Sequence, residues 1–299
     1  MRDSRLDLGG IYPPVPTPFD AKGAVDIPAL RSNLEFLSGY DLRGVVVLGS
    51  NGEAVHLTMD ERVALLESVR PLIPHDRLMI VGTGCSSTIQ TIELSQRAAD
   101  AGADAVLVLP PHYYRSQMTD DVLVRHYHAV GDACPVPVLL YNMPACTGID
   151  MSADTISAIA THPGICGLKD SGGNVAKLGS LAERLGSEFQ ILAGSAGFLL
   201  PALSVGAVGG VLALANIAPA QCLSILEHVG KNEWKAARTV QTRLVDVNAA
   251  VTSRWGVAGL KAAMNLLGLH GGHVRAPLQA LSESNTARLA DILTASGIL

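Results

Sequence analysis

Short, uninterrupted aliphatic runs alternate along the chain with longer stretches in which apolar residues recur every three or four positions. The short runs lack the alternation of a half-exposed strand, so they predict strands buried on both faces of a parallel sheet. The longer stretches predict amphipathic helices. The predicted strands are 11–15, 44–48, 78–81, 105–109, 136–140, 165–168, 190–193 and 208–212, and the helices between them lie near 27–39, 58–70, 87–101, 119–131, 152–160, 174–185, 197–205 and 217–229.

Eight strand–helix units within residues 1–230 are the number that an α/β fold of the (β/α)8 TIM-barrel type requires. Residues 231–299 contain only helical patterns, near 231–252, 256–268 and 284–296, which predicts a C-terminal α-helical appendage to a catalytic barrel. A doubly wound nucleotide-binding sheet is the weaker alternative, because no GxGxxG motif follows the first strand.

The composition leaves open whether the chain spans a membrane, and the order of residues in its longest uncharged run argues against a span. Of the 299 residues 48% are apolar and 16% are charged, the mean hydropathy is +0.30, and no charge lies between Glu188 and Glu227. Such a run is long enough to span a bilayer of about 30 Å, yet Pro201, Gly206 and Pro219 interrupt it, which favours several short buried elements. The net charge of −5 argues against a nucleic-acid partner.

The cysteines and the first ten residues indicate an intracellular protein. Five cysteines without a CxxC pair are typical of reduced thiols rather than of a disulfide or zinc framework. Residues 1–10 contain acids and no apolar stretch, so no signal peptide is expected and the cytoplasm is the predicted location. No HExxH motif or carboxylate cluster indicates a metal, and His126 and His128 are interpreted as surface or core histidines.

The predicted site lies at the carboxyl ends of the strands, where (β/α)8 barrels carry their chemistry. Polar residues gather at these ends, and those after five different strands would meet at one mouth. They are Gly49-Ser50-Asn51-Gly52-Glu53, His112-Tyr113-Tyr114-Arg115, Tyr141-Asn142-Met143-Pro144, Gly167-Leu168-Lys169-Asp170-Ser171 and Ala193-Gly194-Ser195-Ala196.

Lys169 is the candidate nucleophile. It follows an aliphatic strand, so its stem would begin inside an apolar wall, and burial favours the neutral amine that forms an imine with a ketone. A plain ion pair with Asp170 is the alternative. The glycine-rich turn Gly49–Glu53 could offer consecutive N–H groups to an anion, or be only a tight turn. Tyr141 could carry protons between carbinolamine and imine, or be a rim tyrosine.

The motifs at the ends of strands two, five and six resemble those of the dihydrodipicolinate synthase/N-acetylneuraminate lyase family of class I pyruvate aldolases. The spacing of 28 residues between Tyr141 and Lys169 is also similar to that family. The likeness extends from Gly10 to about Leu281, nearly the whole chain. The motifs that carry it are Gly49-Ser50-Asn51-Gly52-Glu53, Tyr141-Asn142-Met143-Pro144 and Gly167-Leu168-Lys169-Asp170.

The resemblance implies a role for each of these residues. Lys169 would form the imine, Tyr141 would carry protons, and Ser50 would link Tyr141 to a Tyr114 donated by a neighbouring subunit. The N–H groups of Ser50 and Asn51, in the turn begun by Gly49, would bind the 1-carboxylate of a 2-oxo acid. Since the imine is the electron sink, no cofactor and no metal are expected. A homotetramer built as a dimer of dimers is the implied assembly.

Further residues concern the choice of substrate. Asn51 and Ser171 are candidates for a distal carboxylate, and Gly194 and Val211 would line the pocket. Additional segments, among them Gly10–Val15 and Arg275–Gln279, resemble the branch of the family that cleaves 4-hydroxy-2-oxoglutarate to pyruvate and glyoxylate. Cys146 stands where the synthases carry an arginine.

Three alternatives stay open. Two belong to the same family, a 2-keto-3-deoxygluconate aldolase and a 4-hydroxy-tetrahydrodipicolinate synthase. The third is a non-catalytic protein that binds 2-oxo acids on an aldolase scaffold.

Overall fold

The computed structural model describes residues 6–299 and confirms the predicted (β/α)8 barrel. Its eight strands form one parallel sheet in the order β1-β8-β7-β6-β5-β4-β3-β2, with helices between successive strands. The strands are β1 Gly10–Tyr12, β2 Gly44–Val47, β3 Leu78–Gly82, β4 Ala105–Val108, β5 Val138–Asn142, β6 Ile165–Asp170, β7 Gln190–Ala193 and β8 Gly209–Val211.

The helices follow the predicted pattern to within a few residues, with one short helix added directly after β5. Side chains cap several of the helix N-termini, for example in the capping box where the Thr58 and Glu61 side chains each accept the other's backbone N–H. The helices are α1 Ile27–Ser38, α2 Met59–Val69, α3 Thr88–Asp100, α4 Asp120–Ala133, α5 Pro144–Thr147, α6 Ala153–Ile159, α7 Val175–Leu185, α8 Leu199–Ser204, α9 Pro219–Gly230, α10 Trp234–Ala249, α11 Gly256–Leu266 and α12 Glu283–Ser296.

The first strand is shorter than predicted, because Pro13 and Pro14 have no N–H to donate to a ladder. The chain nevertheless continues beside β2. Val15 donates its N–H to the carbonyl oxygen of Val46 at 2.9 Å, and Val46 donates to that of Pro13 at 3.0 Å. These two bonds close the barrel between its first and second strands.

Strands β5 and β6 extend beyond the predicted limits of 140 and 168. Their pairing places Tyr141 opposite Lys169 and Asn142 opposite Asp170, after a bulge near Cys166. The aliphatic pattern stops early because these last residues are polar, whereas the backbone pairing does not depend on side-chain polarity. The two predicted site residues therefore lie within strands rather than after them.

The apolar side chains form two separate layers. One fills the space between strands and helices, and the other fills the inside of the barrel. Burying one such aliphatic side chain contributes roughly 1.5–3 kcal/mol. The interior cluster consists of Leu8, Tyr12, Val46, Ile80, Ala105, Leu107, Leu139, Tyr141, Leu192 and Val211.

The uncharged run is a series of short buried elements, as its glycines and prolines predict. It contains β7, α8, β8 and the first part of α9. In the part of the chain that the structure describes, residues 6–299, no helix combines the length and apolarity needed to cross a membrane.

Helices α10 and α11 pack against the carboxyl-terminal side of the barrel, and α12 packs on these two helices. Gln241 of α10 accepts a hydrogen bond from the N–H of Leu200 at 2.9 Å and donates one to the carbonyl oxygen of Ala196 at 2.7 Å. Asn248, near the end of α10, donates to Ser195 Oγ at 2.9 Å. These bonds fix α10 on the turn that follows β7.

Candidate active site

Lys169 and Tyr141 lie side by side on the inner face of the barrel, near the carboxyl ends of β6 and β5. Successive residues of a strand point to opposite faces, so Lys169 shares the inner face with its register partner Tyr141. Only 5% of Lys169 is exposed, and its Nζ lies 4.0 Å from the centre of the Tyr141 ring. The amine is thus held inside the barrel against a phenol.

Asp170 points to the other face and does not pair with Lys169. Its carboxylate is fully buried, and its Oδ1 accepts the N–H groups of Gly172 and Gly173 at 2.8 and 3.0 Å. Its Oδ2 accepts a hydrogen bond from Asn142 Nδ2 at 2.8 Å and lies 3.3 Å from Lys177 Nζ. The alternative interpretation of Lys169 as the partner of Asp170 is therefore wrong.

A second carboxylate, Asp150, completes this outer network. Asn142 Nδ2 also donates to Asp150 Oδ1 at 2.7 Å, and Lys177 Nζ donates to the same oxygen at 2.5 Å. Burial raises the pKa of Asp150, but the hydrogen bonds from Lys177 and Asn142 outweigh it and leave the pKa below its usual value. Because Asn142 and Asp170 follow Tyr141 and Lys169 directly, the network holds the ends of both strands in register. Asn142 and Asp170 are part of the sequence motifs, but their role in joining the ends of β5 and β6 is visible only from the lengths of the two strands in the structure.

The loop after β2 brings Ser50 to Tyr141. Ser50–Gly52 forms a single 3-10 turn, in which Gly52 donates its N–H to the carbonyl oxygen of Gly49 at 3.0 Å. Being the first residues of the turn, Ser50 and Asn51 have no carbonyl within it for their own N–H groups. Ser50 Oγ lies 3.4 Å from Tyr141 OH, which is longer than a tight hydrogen bond.

Tyr114 does not reach Ser50 within one chain. It is 70% exposed, and its ring packs edge-to-face on Tyr113 at 5.0 Å between centres. In the described residues, no hydrogen bond joins Tyr114 to Ser50 or Tyr141. Two adjacent, strongly exposed aromatic rings are typical of a surface that another chain covers.

The remaining predicted residues lie around the same mouth. Gly194 donates its N–H to the carbonyl oxygen of Asp170 at 2.7 Å. A Cβ at Gly194 would overlap Ser171 Oγ and lie only 2.6 Å from that carbonyl oxygen, so this position requires glycine. Val211 is 1% exposed and belongs to the interior cluster. Desolvation raises the pKa of the Cys146 thiol, and the nearby Lys169 opposes this rise only in part.

The histidines lie apart from this mouth. His126 is buried in α4, its Nδ1 lies 2.9 Å from Thr88 Oγ1, and burial lowers its pKa to about 4. His128 approaches the carbonyl oxygen of Ile159 at 3.2 Å. Within residues 6–299 there is no group of three or more His, Cys, Asp or Glu side chains arranged to hold a metal ion.

A groove of about 680 Å³ opens at the opposite, amino-terminal end of the barrel. Its two arginines are already engaged: Arg77 donates to the carbonyl oxygens of Leu37 and Ser38, and Arg43 to that of Asp7. It has no buried amine or phenol comparable to Lys169 and Tyr141, so the chemistry assigns the candidate site to the other end.

A (β/α)8 barrel with a buried lysine against a tyrosine at the carboxyl ends of adjacent strands is an enzyme scaffold of the class I aldolase type. The chain belongs to the dihydrodipicolinate synthetase family, whose model matches residues 7–296. Members of this family are class I lyases, and this protein is an enzyme of that kind.

The relatives carry two different activities in their names. The probable mitochondrial 4-hydroxy-2-oxoglutarate aldolase of Emericella nidulans is 36% identical, over 96% of this chain and 94% of that one. The 4-hydroxy-tetrahydrodipicolinate synthase of Haloarcula marismortui is 32% identical, over 96% and 94%. Among solved structures, the dihydrodipicolinate synthase of Acinetobacter baumannii, complexed with pyruvate, has a TM-score of 0.93 at 29% identity and covers 98% of this chain and 100% of that one.

Proposed function

We propose that the protein cleaves 4-hydroxy-2-oxoglutarate to pyruvate and glyoxylate through an imine on Lys169. The observation that carries this proposal is the placement of Lys169 Nζ inside the barrel, 4.0 Å from the centre of the Tyr141 ring and without a carboxylate on its own face of the strand. A desolvated amine beside a proton carrier is what imine formation requires. The pyruvate complex of the Acinetobacter relative is consistent with a 2-oxo acid as ligand.

The reaction begins when Lys169 Nζ attacks the C2 ketone of the substrate. Tyr141 protonates the carbinolamine oxygen, water leaves, and a cationic imine remains. The phenolate of Tyr141 then takes the proton of the C4 hydroxyl, the C3–C4 bond breaks, and its electron pair moves into the imine. Glyoxylate departs with C4 and C5. Protonation of the resulting enamine at C3, followed by hydrolysis, releases pyruvate and restores the amine.

The turn after β2 supplies the anion site in this proposal. The 1-carboxylate rests on the N–H groups of Ser50 and Asn51, and Asn51 and Ser171 reach the distal carboxylate. Ser50 relays protons between Tyr141 and Tyr114 of a second copy of the chain. The exposure of Tyr113 and Tyr114 supports such a shared site. A homotetramer and a cytoplasmic location stay predictions.

Borohydride trapping tests the imine. Pyruvate with borohydride should add one reduced pyruvyl group, and peptide mapping should place it on Lys169. Lys169→Ala should lose both the adduct and turnover, whereas Lys231→Ala, which changes an exposed lysine, should keep both. Turnover in Lys169→Ala would refute imine catalysis.

The synthase activity is the second candidate, because a relative at 32% identity bears that name. The family's synthases use an arginine where this chain has Cys146, and a thiol cannot grip a carboxylate in that way. Steady-state kinetics should therefore favour 4-hydroxy-2-oxoglutarate over 2-keto-3-deoxygluconate and over aspartate semialdehyde with pyruvate. If glyoxylate proves the poorest aldehyde for condensation with pyruvate, the proposed substrate is wrong.

A further inference from the structure

The turn that carries Ser50 and Asn51 ends in an unfavourable backbone conformation. Glu53, the residue that directly follows the turn, has a φ of 53°, in the left-handed region that a residue with a side chain rarely adopts. Such a conformation persists only when surrounding interactions hold it. The contacts of the Glu53 side chain supply that restraint.

The Glu53 carboxylate is buried among donors from the far end of the chain. Its Oε1 accepts a hydrogen bond from Lys261 Nζ at 2.5 Å, and its Oε2 accepts the backbone N–H of Arg275 at 2.9 Å. Lys261, on α11, also donates to the carbonyl oxygens of Thr17 and His273 at 2.8 and 2.6 Å. Three acceptors around one Nζ match the three N–H groups of an ammonium. Burial lowers the pKa of Lys261, and the hydrogen bond and charge of Glu53 oppose that change.

Arg275, whose backbone N–H binds Glu53, also binds Glu61 of α2 through its side chain. Its guanidinium binds both oxygens of Glu61, at 2.8 and 2.7 Å. This hydrogen bonding lowers the pKa of Glu61 to about 2. The guanidinium and Lys261 Nζ also lie against the Phe19 ring, 4.4 and 4.6 Å from its centre. We call Glu53, Lys261 and Arg275 the Glu53 clamp.

The clamp is connected directly to the anion-binding turn. Glu53 donates its N–H to the carbonyl oxygen of Ser50 at 3.1 Å, which closes the turn. Thr17, whose own carbonyl oxygen accepts from Lys261, donates its Oγ1 proton to the carbonyl oxygen of Gly52 at 2.7 Å. The position of the turn therefore depends on contacts made by α11 and the segment after it.

We propose that the Glu53 clamp positions the turn Ser50–Gly52 to receive the 1-carboxylate of the substrate, which makes Glu53 and Lys261 positioning residues. This inference rests on the proposed function, since it assigns the turn to a 2-oxo acid. The helices after the barrel thus contribute to the site without touching the substrate.

The clamp also compensates the negative charge of the Glu53 carboxylate. Glu53 follows the anion-binding turn directly, and an unpaired carboxylate there would repel the carboxylate of the substrate. The ammonium of Lys261 compensates this charge at a site from which water is excluded, where charge interactions are strong. Removing Lys261 alone should therefore weaken substrate binding more than removing an exposed lysine.

Two measurements on Glu53→Gln and Lys261→Met test the proposal. The first is the pyruvate concentration that half-saturates borohydride trapping of Lys169, and the second is hydrogen exchange in the peptide 49–56. We expect half-saturation to rise at least about tenfold and exchange to accelerate by a similar factor, the loss expected for a hydrogen bond to a charged group. The trapping rate at saturation should stay within about threefold, because β5 and β6 are unchanged.

Two further variants keep the test decisive. Lys231→Met breaks the exposed ion pair with Glu227 and should leave both measurements unchanged. Thr17→Val removes only the bond to Gly52 and should raise half-saturation by a smaller factor, so it serves if a clamp variant fails to fold. Wild-type half-saturation or wild-type exchange in the folded variants would overturn the clamp. If the wild-type chain itself is not trapped at Lys169, the proposed function fails, and exchange in peptide 49–56 alone decides on the clamp.

Discussion

The buried carboxylate of Asp170 should be essential for the stability of the strand ends that carry the site. Its two oxygens meet four donors: the N–H groups of Gly172 and Gly173, Asn142 Nδ2 and Lys177 Nζ. In Asp170→Asn one oxygen becomes an NH2 group. Whichever way the amide is turned, this NH2 group faces two donors. The variant therefore loses either the two backbone hydrogen bonds from Gly172 and Gly173 or the Asn142 hydrogen bond together with the Lys177 ion pair.

The size of the effect follows from these contacts. Each lost bond to a charged acceptor is worth about 1.5–3 kcal/mol. In the variant Lys177 keeps Asp150 and the carbonyl oxygen of Met151 as acceptors, so its positive charge stays partly compensated. Breaking a buried charge pair from one side costs about 3–5 kcal/mol, and we expect a loss in that range for Asp170→Asn.

Urea unfolding at neutral pH measures this loss, with Asp154→Asn as the matched control. Asp154 pairs with Arg184 at 2.6 Å, but both side chains are exposed, so its removal should change the free energy of unfolding by no more than about 1 kcal/mol. The Asp170 variant should also form the Lys169 imine more slowly, since the ends of β5 and β6 lose their connection. An Asp170→Asn protein as stable as the control would refute the reasoning.

Two further predictions concern the pocket and acid stability. Gly194→Ala should lower turnover at least about tenfold, because the new methyl group overlaps Ser171 Oγ and overpacking of this kind costs about 1–3 kcal/mol; unchanged kinetics would show that the loop moves freely. His126 has a pKa of about 4 in the folded chain against 6.5 in the unfolded chain, so only the unfolded chain is protonated between these values. Stability should therefore be complete above pH 6.5 and fall as the pH drops toward 4, by about 2 kcal/mol at pH 5. His126→Leu should remove this part of the pH dependence in urea titrations, and the exposed-site control His75→Gln should retain it.

The sequence was sufficient to predict the barrel and the place of the amine. Lys169 and Tyr141 stand out because each is a polar residue that directly follows an aliphatic run. The rule that barrel enzymes keep their chemistry at the carboxyl ends of strands then indicates where both belong. Periodicity could not show that the two residues face each other, since that depends on the bulge near Cys166 and the register it sets.

The supporting networks could not be predicted, because their members are far apart in the chain. Glu53 lies 208 residues from Lys261 and 222 residues from Arg275, and neither partner lies in a motif near a strand end. Asp170 is adjacent to Lys169 in sequence, which favours a pairing that the alternation of the strand prevents. For both Glu53 and Asp170, the direction of the side chain, rather than distance along the sequence, determines which residues it pairs with.

This alternation explains how the site keeps a usable amine. On β5 and β6 the inward positions are Tyr141 and Lys169, and the outward positions are Asn142 and Asp170. The carboxylate is therefore neutralised outside the barrel, by Lys177. Among residues 6–299 no carboxylate forms an ion pair with Lys169, so its amine is not occupied by a fixed anion. An unpaired amine inside the barrel, with the neighbouring acid turned outward, supports the proposal that the site takes an anionic carbonyl substrate whose carboxylate binds the turn after β2.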